Sequence, residues 1–322
     1  MPVTITGGVS FTGNGVTMVG APTVATAGWN GGGNFGATLY TTVDRITFAT
    51  DTATASVRGP LSVGRRSHAS SGTLTYGWFG GGYVGAPTYS ATSVDRITYA
   101  TDTATASARG PLSAGRYRLA STSDGSTYSW FGGGQPQQAT VDRITYATDT
   151  ATAVARGPLS VARMGLSGAG NTSYGWYIAG WPPVTSLVDR ITYANDTATA
   201  TARGPVSAAR YFAGATSDNS SYGWFAGGIS PGSIYYTTVD RITYANDTVT
   251  ASVRGPLLDY RTNMSSTGSS TFGWFGAGGI GNPSVAASSV TRITYATDTA
   301  TSVNKGPLSS VRVQLSGASG LQ

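Results

Sequence analysis

Apolar residues in this chain fall in short runs set apart by Gly, Pro, Asn and Asp, with no sustained three-to-four spacing of the kind that marks a helix face. The runs are rich in β-branched and aromatic residues, as in Val94-Asp-Arg-Ile-Thr-Tyr and Trp78-Phe-Gly-Gly, so they predict strands bounded by turns. The pattern also repeats on a longer scale. The phrase VDRITYATDTATASARGPLS returns six times with small changes, its first Arg falling at Arg45, Arg96, Arg143, Arg190, Arg241 and Arg292. Between the copies an aromatic followed by small residues returns at Trp29, Trp78, Trp130, Trp176, Trp224 and Trp274. From each Asp-Arg position to the next Trp is 34 or 35 residues, whereas from Trp to the following Asp-Arg position ranges from 12 to 17. One connection per unit therefore varies in length and the others do not.

Each unit reads as four strands. The first follows an Arg, as in Arg116-Tyr-Arg-Leu-Ala-Ser, and the second carries the Trp. The third is Val-Asp-Arg-Ile-Thr-Tyr. The fourth is Thr-Ala-Thr-Ala-Ser-Ala-Arg, ended by Gly-Pro because proline donates nothing to a ladder. Four strands in each of six units predict an all-β fold, a six-bladed β-propeller with four antiparallel strands per blade. The small residues of the fourth strand would let neighbouring blades approach closely. The Asp of each Ala-Thr-Asp-Thr turn would accept local backbone N–H bonds. The stretch Arg312-Val-Gln-Leu-Ser-Gly-Ala-Ser-Gly matches Arg163-Met-Gly-Leu-Ser-Gly-Ala-Gly, the first strand of an internal unit. It is expected to complete the first blade beside Trp29; the rival is a strand from residues 16–25 with the C-terminus free. The chain thus divides into an arm, residues 1–22, and a propeller, residues 23–322. No charge occurs before Asp44, and VTITGGVSFTGNGVTMVG alternates apolar and small polar residues around glycines, a hairpin pattern. Such an arm suits adding a strand to a partner protein; otherwise it would pack on the rim as an extra strand pair.

Charge is sparse, with 20 Lys and Arg and 14 Asp and Glu among 322 residues. The acids are all Asp and the bases all Arg except Lys305. Every base but Arg66 and Arg118, and every acid but Asp124, Asp218 and Asp259, sits at a repeated position. A formal charge of +6 would favour an anionic partner. The bases are nevertheless spread by repetition rather than clustered, so no nucleic acid is expected. With no Cys and one His, disulfides, thiolate chemistry and Cys- or His-based metal sites are excluded. A Ser–His–Asp triad would have to run through His68. A glycosidase needs two convergent carboxyl groups, but Asp124 and Asp218 belong to turns on the face opposite Asp259. A hydrolase using Asp259 is the weakest reading, and no catalytic residue, cofactor or metal is expected. One carboxylate per turn is too few for calcium. No apolar run is long enough to span a membrane, and MPVTITGGVS lacks the marks of a signal peptide.

The Arg that opens each first strand (Arg65, Arg116, Arg163, Arg210, Arg261, Arg312) should ring one mouth of the central channel. There each is expected to bond backbone carbonyls or an Asp between blades; the alternative is a rim that binds an anion. Because strands alternate direction, the length-variable loops share that face. They carry Tyr40, Tyr83, Tyr89, Gln135, Gln137, Trp181, Tyr235 and Tyr236, and aromatic and amide side chains on variable loops make a recognition surface, a saccharide-binding one in the simplest case. The repeated Trp belongs in the core, and His68, without counterparts, reads as an incidental polar residue.

The order of a strand with double glycine, a variable loop, Asp-Arg-Ile-Thr-Tyr and a strand leading to Pro-x-x-x-x-Arg resembles the Kelch repeat. It departs in that Trp precedes the glycines and the second Kelch aromatic is Ala or Ser; the last unit drifts further, with Thr291 and Lys305. The chain looks more like the arrays of DRI-x-Y-x-x-DTAT-x-x-RGPLS and GWFGGG repeats in predicted virion proteins of marine tailed bacteriophages, cyanophages included. That resemblance implies a non-enzymatic structural protein on the tail or capsid surface of a virion. Its arm would hold other virion proteins, and its loop face would meet a host-surface polysaccharide or serve as decoration. A free lectin-like carbohydrate-binding propeller is the alternative.

Overall fold

Each repeat folds as a four-stranded antiparallel sheet with both faces covered. A computed structural model describes residues 9–12, 15–18, 24–282 and 285–320. In the second unit Ala69–Gly72, Tyr76–Gly80, Val94–Thr98 and Ser107–Arg109 lie side by side in chain order. The other units repeat this, giving six four-stranded sheets among the described residues. Their first strands pack in a cycle: Ser316–Ser319, Ala69–Gly72, Ala120–Ser123, Ser167–Gly170, Gly214–Ser217, Ser265–Gly268 and back to Ser316–Ser319. The architecture is all-β and propeller-like.

The first sheet is completed from the far end of the chain. Ser316–Ser319 pairs with Ala27–Gly31, Gly28 opposite Ser319 and Gly31 opposite Ser316. The rival strand at residues 16–25 does not take that place; Gly15–Met18 pairs instead with Val9–Thr12. The rest of the arm lies outside the described residues.

Strand alternation explains the core. Successive side chains point to opposite faces, so Trp78 enters the layer shared with the third sheet, beside Leu119 and Ile144. Its neighbour Phe79 enters the layer shared with the first sheet, beside Trp29 and Val43. Apolar packing is thus distributed over six layers between neighbouring sheets rather than one centre. The repeated Trp residues are 0–6% exposed. Each stacks on an aromatic ring of the next sheet with centroids 3.6–4.0 Å apart, Trp29 on Tyr99 being the closest pair and Trp274 on Phe48 joining the sixth sheet to the first.

The turn Asp is not a local cap, contrary to the sequence expectation. Asp149 Oδ2 accepts from Trp78 Nε1 at 2.8 Å and Arg96 at 3.0 Å, and Arg109 Nε lies 3.4 Å away as an ion pair; all three groups belong to the preceding sheet. Asp102, Asp196, Asp247 and Asp298 hold the same three groups. Asp51 takes Trp274, Arg292 and Lys305 across the junction of sixth and first sheets. The Asp149 carbonyl also accepts the Gly110 N–H at 2.8 Å. The main chains approach so closely that a Cβ on Gly110 would lie 1.9 Å from the Ala151 carbonyl oxygen. This is why Gly precedes Pro in every unit.

Two strand boundaries differ from the sequence expectation. The fourth strand keeps only its last three residues, as in Ser107–Arg109. Its first half turns back so that the Ala106 N–H bonds the Pro60 carbonyl of the preceding sheet at 2.8 Å. The small residues therefore serve that insertion, and the shortened strand is largely exposed. The first strand starts four residues after its Arg, at Ala120 rather than Arg116.

His68 occupies the position that is Leu119, Leu166, Met264 or Leu315 in four other sheets. It is 5% exposed, and burial, helped by the Arg65 charge, drives its pKa well below the usual imidazole value. Folding therefore excludes a proton that the unfolded chain binds below pH ~6.5. Stability should be unaffected above that pH and fall by about 1.4 kcal/mol per unit below it until the folded pKa is reached. His68→Leu should remove that component, so the loss of melting temperature between pH 7.5 and pH 5 should be smaller than in the parent protein. Asp149→Ala, which strands two cations and an indole N–H at one junction, should cost about 3 kcal/mol by urea unfolding.

Candidate recognition face

Three residues separate each buried Arg from its first strand, and the middle one takes the left-handed backbone conformation. These are Ser67, Arg118, Gly165, Phe212, Asn263 and Gln314, with φ between 53° and 65°. The N–H of each donates to the carbonyl of its equivalent in the preceding sheet. Arg118 bonds Ser67 at 2.6 Å, Gly165 bonds Arg118 at 2.8 Å and Phe212 bonds Gly165 at 2.9 Å. Asn263 bonds Phe212 at 2.9 Å, Gln314 bonds Asn263 at 2.8 Å, and Ser67 closes the cycle on Gln314 at 2.7 Å. Six backbone hydrogen bonds thus form a closed ring around the end of the axis. Left-handed backbone is strained for any residue with a Cβ, by ~1 kcal/mol or more. Only Gly165 escapes that strain, and all six residues differ. The six residues border a small cavity of about 80 Å³. Behind it, the small residues of the first strands line a further cavity of about 120 Å³.

The residue just before each ring position anchors the variable loops to the rim. Arg66 bridges Tyr83, Tyr117 bridges Gln135, Met164 bridges Trp181 and Tyr211 bridges Ile229. The result is a continuous aromatic band. Tyr89 lies 6.0 Å from Tyr83 and Tyr83 lies 5.7 Å from Tyr117, centroid to centroid. The Arg118 guanidinium sits 5.6 Å from the Tyr117 ring and 5.0 Å from that of Phe212. Phe212 meets Tyr211 at 4.8 Å, and Tyr211 meets Trp181 at 6.2 Å. Arg66 lies over Tyr83 at 4.6 Å, and Arg118 donates to Gln135 Oε1 at 3.1 Å. Tyr89 and Trp181 are 52% and 37% exposed.

The structure thus brings together Tyr83, Tyr89, Gln135 and Trp181 of the expected loop residues. Gln137 is spent tying loops, its Nε2 donating to the Ala162 and Pro182 carbonyls at 2.9 and 3.0 Å. Tyr40 belongs to the loop of the first sheet, where its carbonyl accepts the Arg65 N–H at 3.3 Å. Tyr236 lies 5.4 Å below Arg210, with its hydroxyl 3.2 Å from Ser230 Oγ; Tyr235, beside it, pairs with Ile229. Among the described residues no ring contact joins these three to the band, and Tyr235 reaches it only through Ile229, which bridges Tyr211. Tyr117, Arg118, Tyr211 and Phe212 were not expected in the site, because the sequence places them inside first strands. The signal that marks them is that copies of an otherwise uniform repeat disagree there.

The six Arg expected at the channel mouth bond backbone carbonyls or an Asp, as the first of the two expectations has it, except that the Asp lies on the same sheet rather than between blades. Arg65, Arg116, Arg163, Arg210, Arg261 and Arg312 are 0–1% exposed. Arg65 donates to the Gly81 and Ser93 carbonyls at 2.9 Å and to Asp95 at 3.2 Å. Asp95 also accepts the Ser62 N–H and hydroxyl. Arg116 pairs with Asp142, Arg163 with Asp189, Arg210 with Asp240 and Arg312 with Asp44. In the sixth sheet Thr291 replaces the Asp, and Arg261 keeps only the carbonyl bonds, to Ala277 and Ser289 at 2.6 and 2.9 Å, and one to Ser289 Oγ. Burial pushes Arg261 down to about 10, and nearby Asp259 opposes the shift. These Arg pin each connection onto its own sheet and offer no rim to an anion.

Asp124 and Asp218 cap first-to-second strand turns, each Oδ1 accepting three successive backbone N–H groups. Among the described residues no three His, Cys, Asp or Glu come together as a metal site. Comparison with protein-family models and with curated proteins gives no match.

Glycine in the ring should relieve strain. Gln314→Gly is expected to raise stability by about 1 kcal/mol in urea unfolding. Gly165→Gln, the reverse change, should lower it by a similar amount.

Proposed function

We propose that this chain is a non-enzymatic, six-bladed, Kelch-like propeller of a tailed-phage virion that recognises a host-surface polysaccharide through the face built on the ring. One observation carries the reading. The repeated charges and Trp residues are consumed between and within sheets, while the unshared aromatic, amide and Arg side chains collect on one face. Closure into six blades is supported by the cycle of first strands and by the Asp51 junction between sixth and first sheets. Sugar rings stack on aromatic faces, and a rigid scaffold bearing variable loops is the usual arrangement of a binding surface. The virion setting rests on the likeness of the repeat phrases to those of marine phage arrays. Residues 1–22 would attach the propeller to other virion proteins by strand addition. The exposed band, which needs no arm to work, favours one second reading, a free lectin-like propeller.

Immunogold labelling of intact particles with an antibody to the propeller should mark tail or head, and absence of label would remove the virion reading. Deleting residues 1–22 should abolish incorporation while leaving the propeller folded. Tyr89→Ala with Trp181→Ala should reduce binding to host-cell polysaccharide at least tenfold without changing the melting temperature by more than a few degrees. Unchanged binding would remove the band from the site.

A further inference from the structure

Arg66 and Arg118 are the two bases outside every repeated position. The others have fixed employment, on a buried Asp or on backbone carbonyls. Among the described residues, Arg66 and Arg118 form no ion pair; the charged neighbour that bears on Arg118 is Arg66 itself. Both are half-buried against aromatic rings, Arg66 on Tyr83 and Arg118 between Tyr117 and Phe212.

Arg66 lies over Tyr83 and Arg118 over Tyr117, two rings 5.7 Å apart, so two cations share one stretch of the band, and an anion bound there would relieve their repulsion. Arg118 is also pre-positioned. Its backbone is fixed by the hydrogen-bonded ring and its guanidinium by Gln135, so little rotamer freedom would remain to be lost on binding. A planar guanidinium matches a carboxylate or sulfate with paired N–H donors. Exposed Tyr89 and Trp181 lie at the two ends of the band, where flanking sugar rings could lie flat on them.

We infer that this face selects acidic saccharides, with a carboxylate or sulfate group held by Arg66 and Arg118 and neighbouring sugar rings on the flanking aromatics. The inference rests on the recognition reading above and adds the charge class of its ligand.

The test is isothermal titration of the full chain with tetragalacturonate, a chondroitin sulfate tetrasaccharide and neutral maltotetraose. An acidic probe should bind at least tenfold more tightly than the neutral one, and its affinity should fall between 50 and 300 mM NaCl. Comparing the two acidic probes separates a carboxylate preference from a sulfate preference. Arg118→Gln and Arg66→Gln should each lower acidic-probe affinity tenfold or more, with Arg118→Lys restoring part of it and melting temperatures within a few degrees of the parent. Equal binding of neutral and acidic probes, indifferent to Arg118→Gln, would overturn the inference and leave the recognition reading standing. Failure of the protein to bind either these probes or whole host polysaccharide would overturn both.

Discussion

The fold depends on a carboxylate shared between sheets. Asp102 and its five counterparts are 5–8% exposed, and a carboxylate so placed must be neutralised and hydrogen-bonded or it opposes folding. Here one oxygen collects an indole N–H and two guanidinium groups from the preceding sheet, while the carbonyl of the same residue accepts the Gly59 N–H, also of the preceding sheet. Side chain and main chain of one residue therefore fix the position of one sheet on another. With two cations on each turn Asp, every junction carries an excess positive charge. The basic balance of the chain, with a pI near 9.5, is thus built into the architecture.

Much of this was legible in the sequence, because repetition makes structural demand visible. Strand type, strand number per unit, and closure by residues near 316 all follow from copies that agree. What agreement cannot reveal is the partner. The third-strand Asp and Arg, adjacent in sequence, look alike as charged residues, yet alternation sends Asp95 inward to Arg65 and Arg96 outward to Asp149 of the next sheet. That each first-strand Arg is bonded rather than exposed could be read from the sequence, but that its Asp lies on the same sheet could not. The partner of Arg65 shows only when the third strand carries Asp95 back beneath it. The fourth strand was overestimated because a Thr- and Ala-rich segment suits a strand or a tight turn equally, and the close approach at Gly59 and Ala104 selects the turn.

The candidate recognition face was half legible, and the missing half has a geometric cause. Loop residues stand out by their variable spacing, whereas Arg118 and Phe212 sit at constant spacing and look like strand. Their backbone turns left-handed because six segments of the chain hand a hydrogen bond around a closed circuit. Structural constraint there acts on the main chain alone and leaves the side chain open, so positions of highest backbone uniformity carry the greatest chemical diversity.

The first sheet is assembled from opposite ends of the chain, and this imposes an order in time. While the protein is being synthesised, Ala27–Gly31 waits with an unpaired edge until Ser316–Ser319 has emerged, long after its other neighbours are in place. Every other first strand has a similar small-residue character, so a nascent chain offers several near-copies that fit that open edge, and a neighbouring chain offers more. Crowded co-assembly would favour exchange of the closing strand between molecules. Linked rings, rather than unfolded protein, are then the expected failure product of hurried expression.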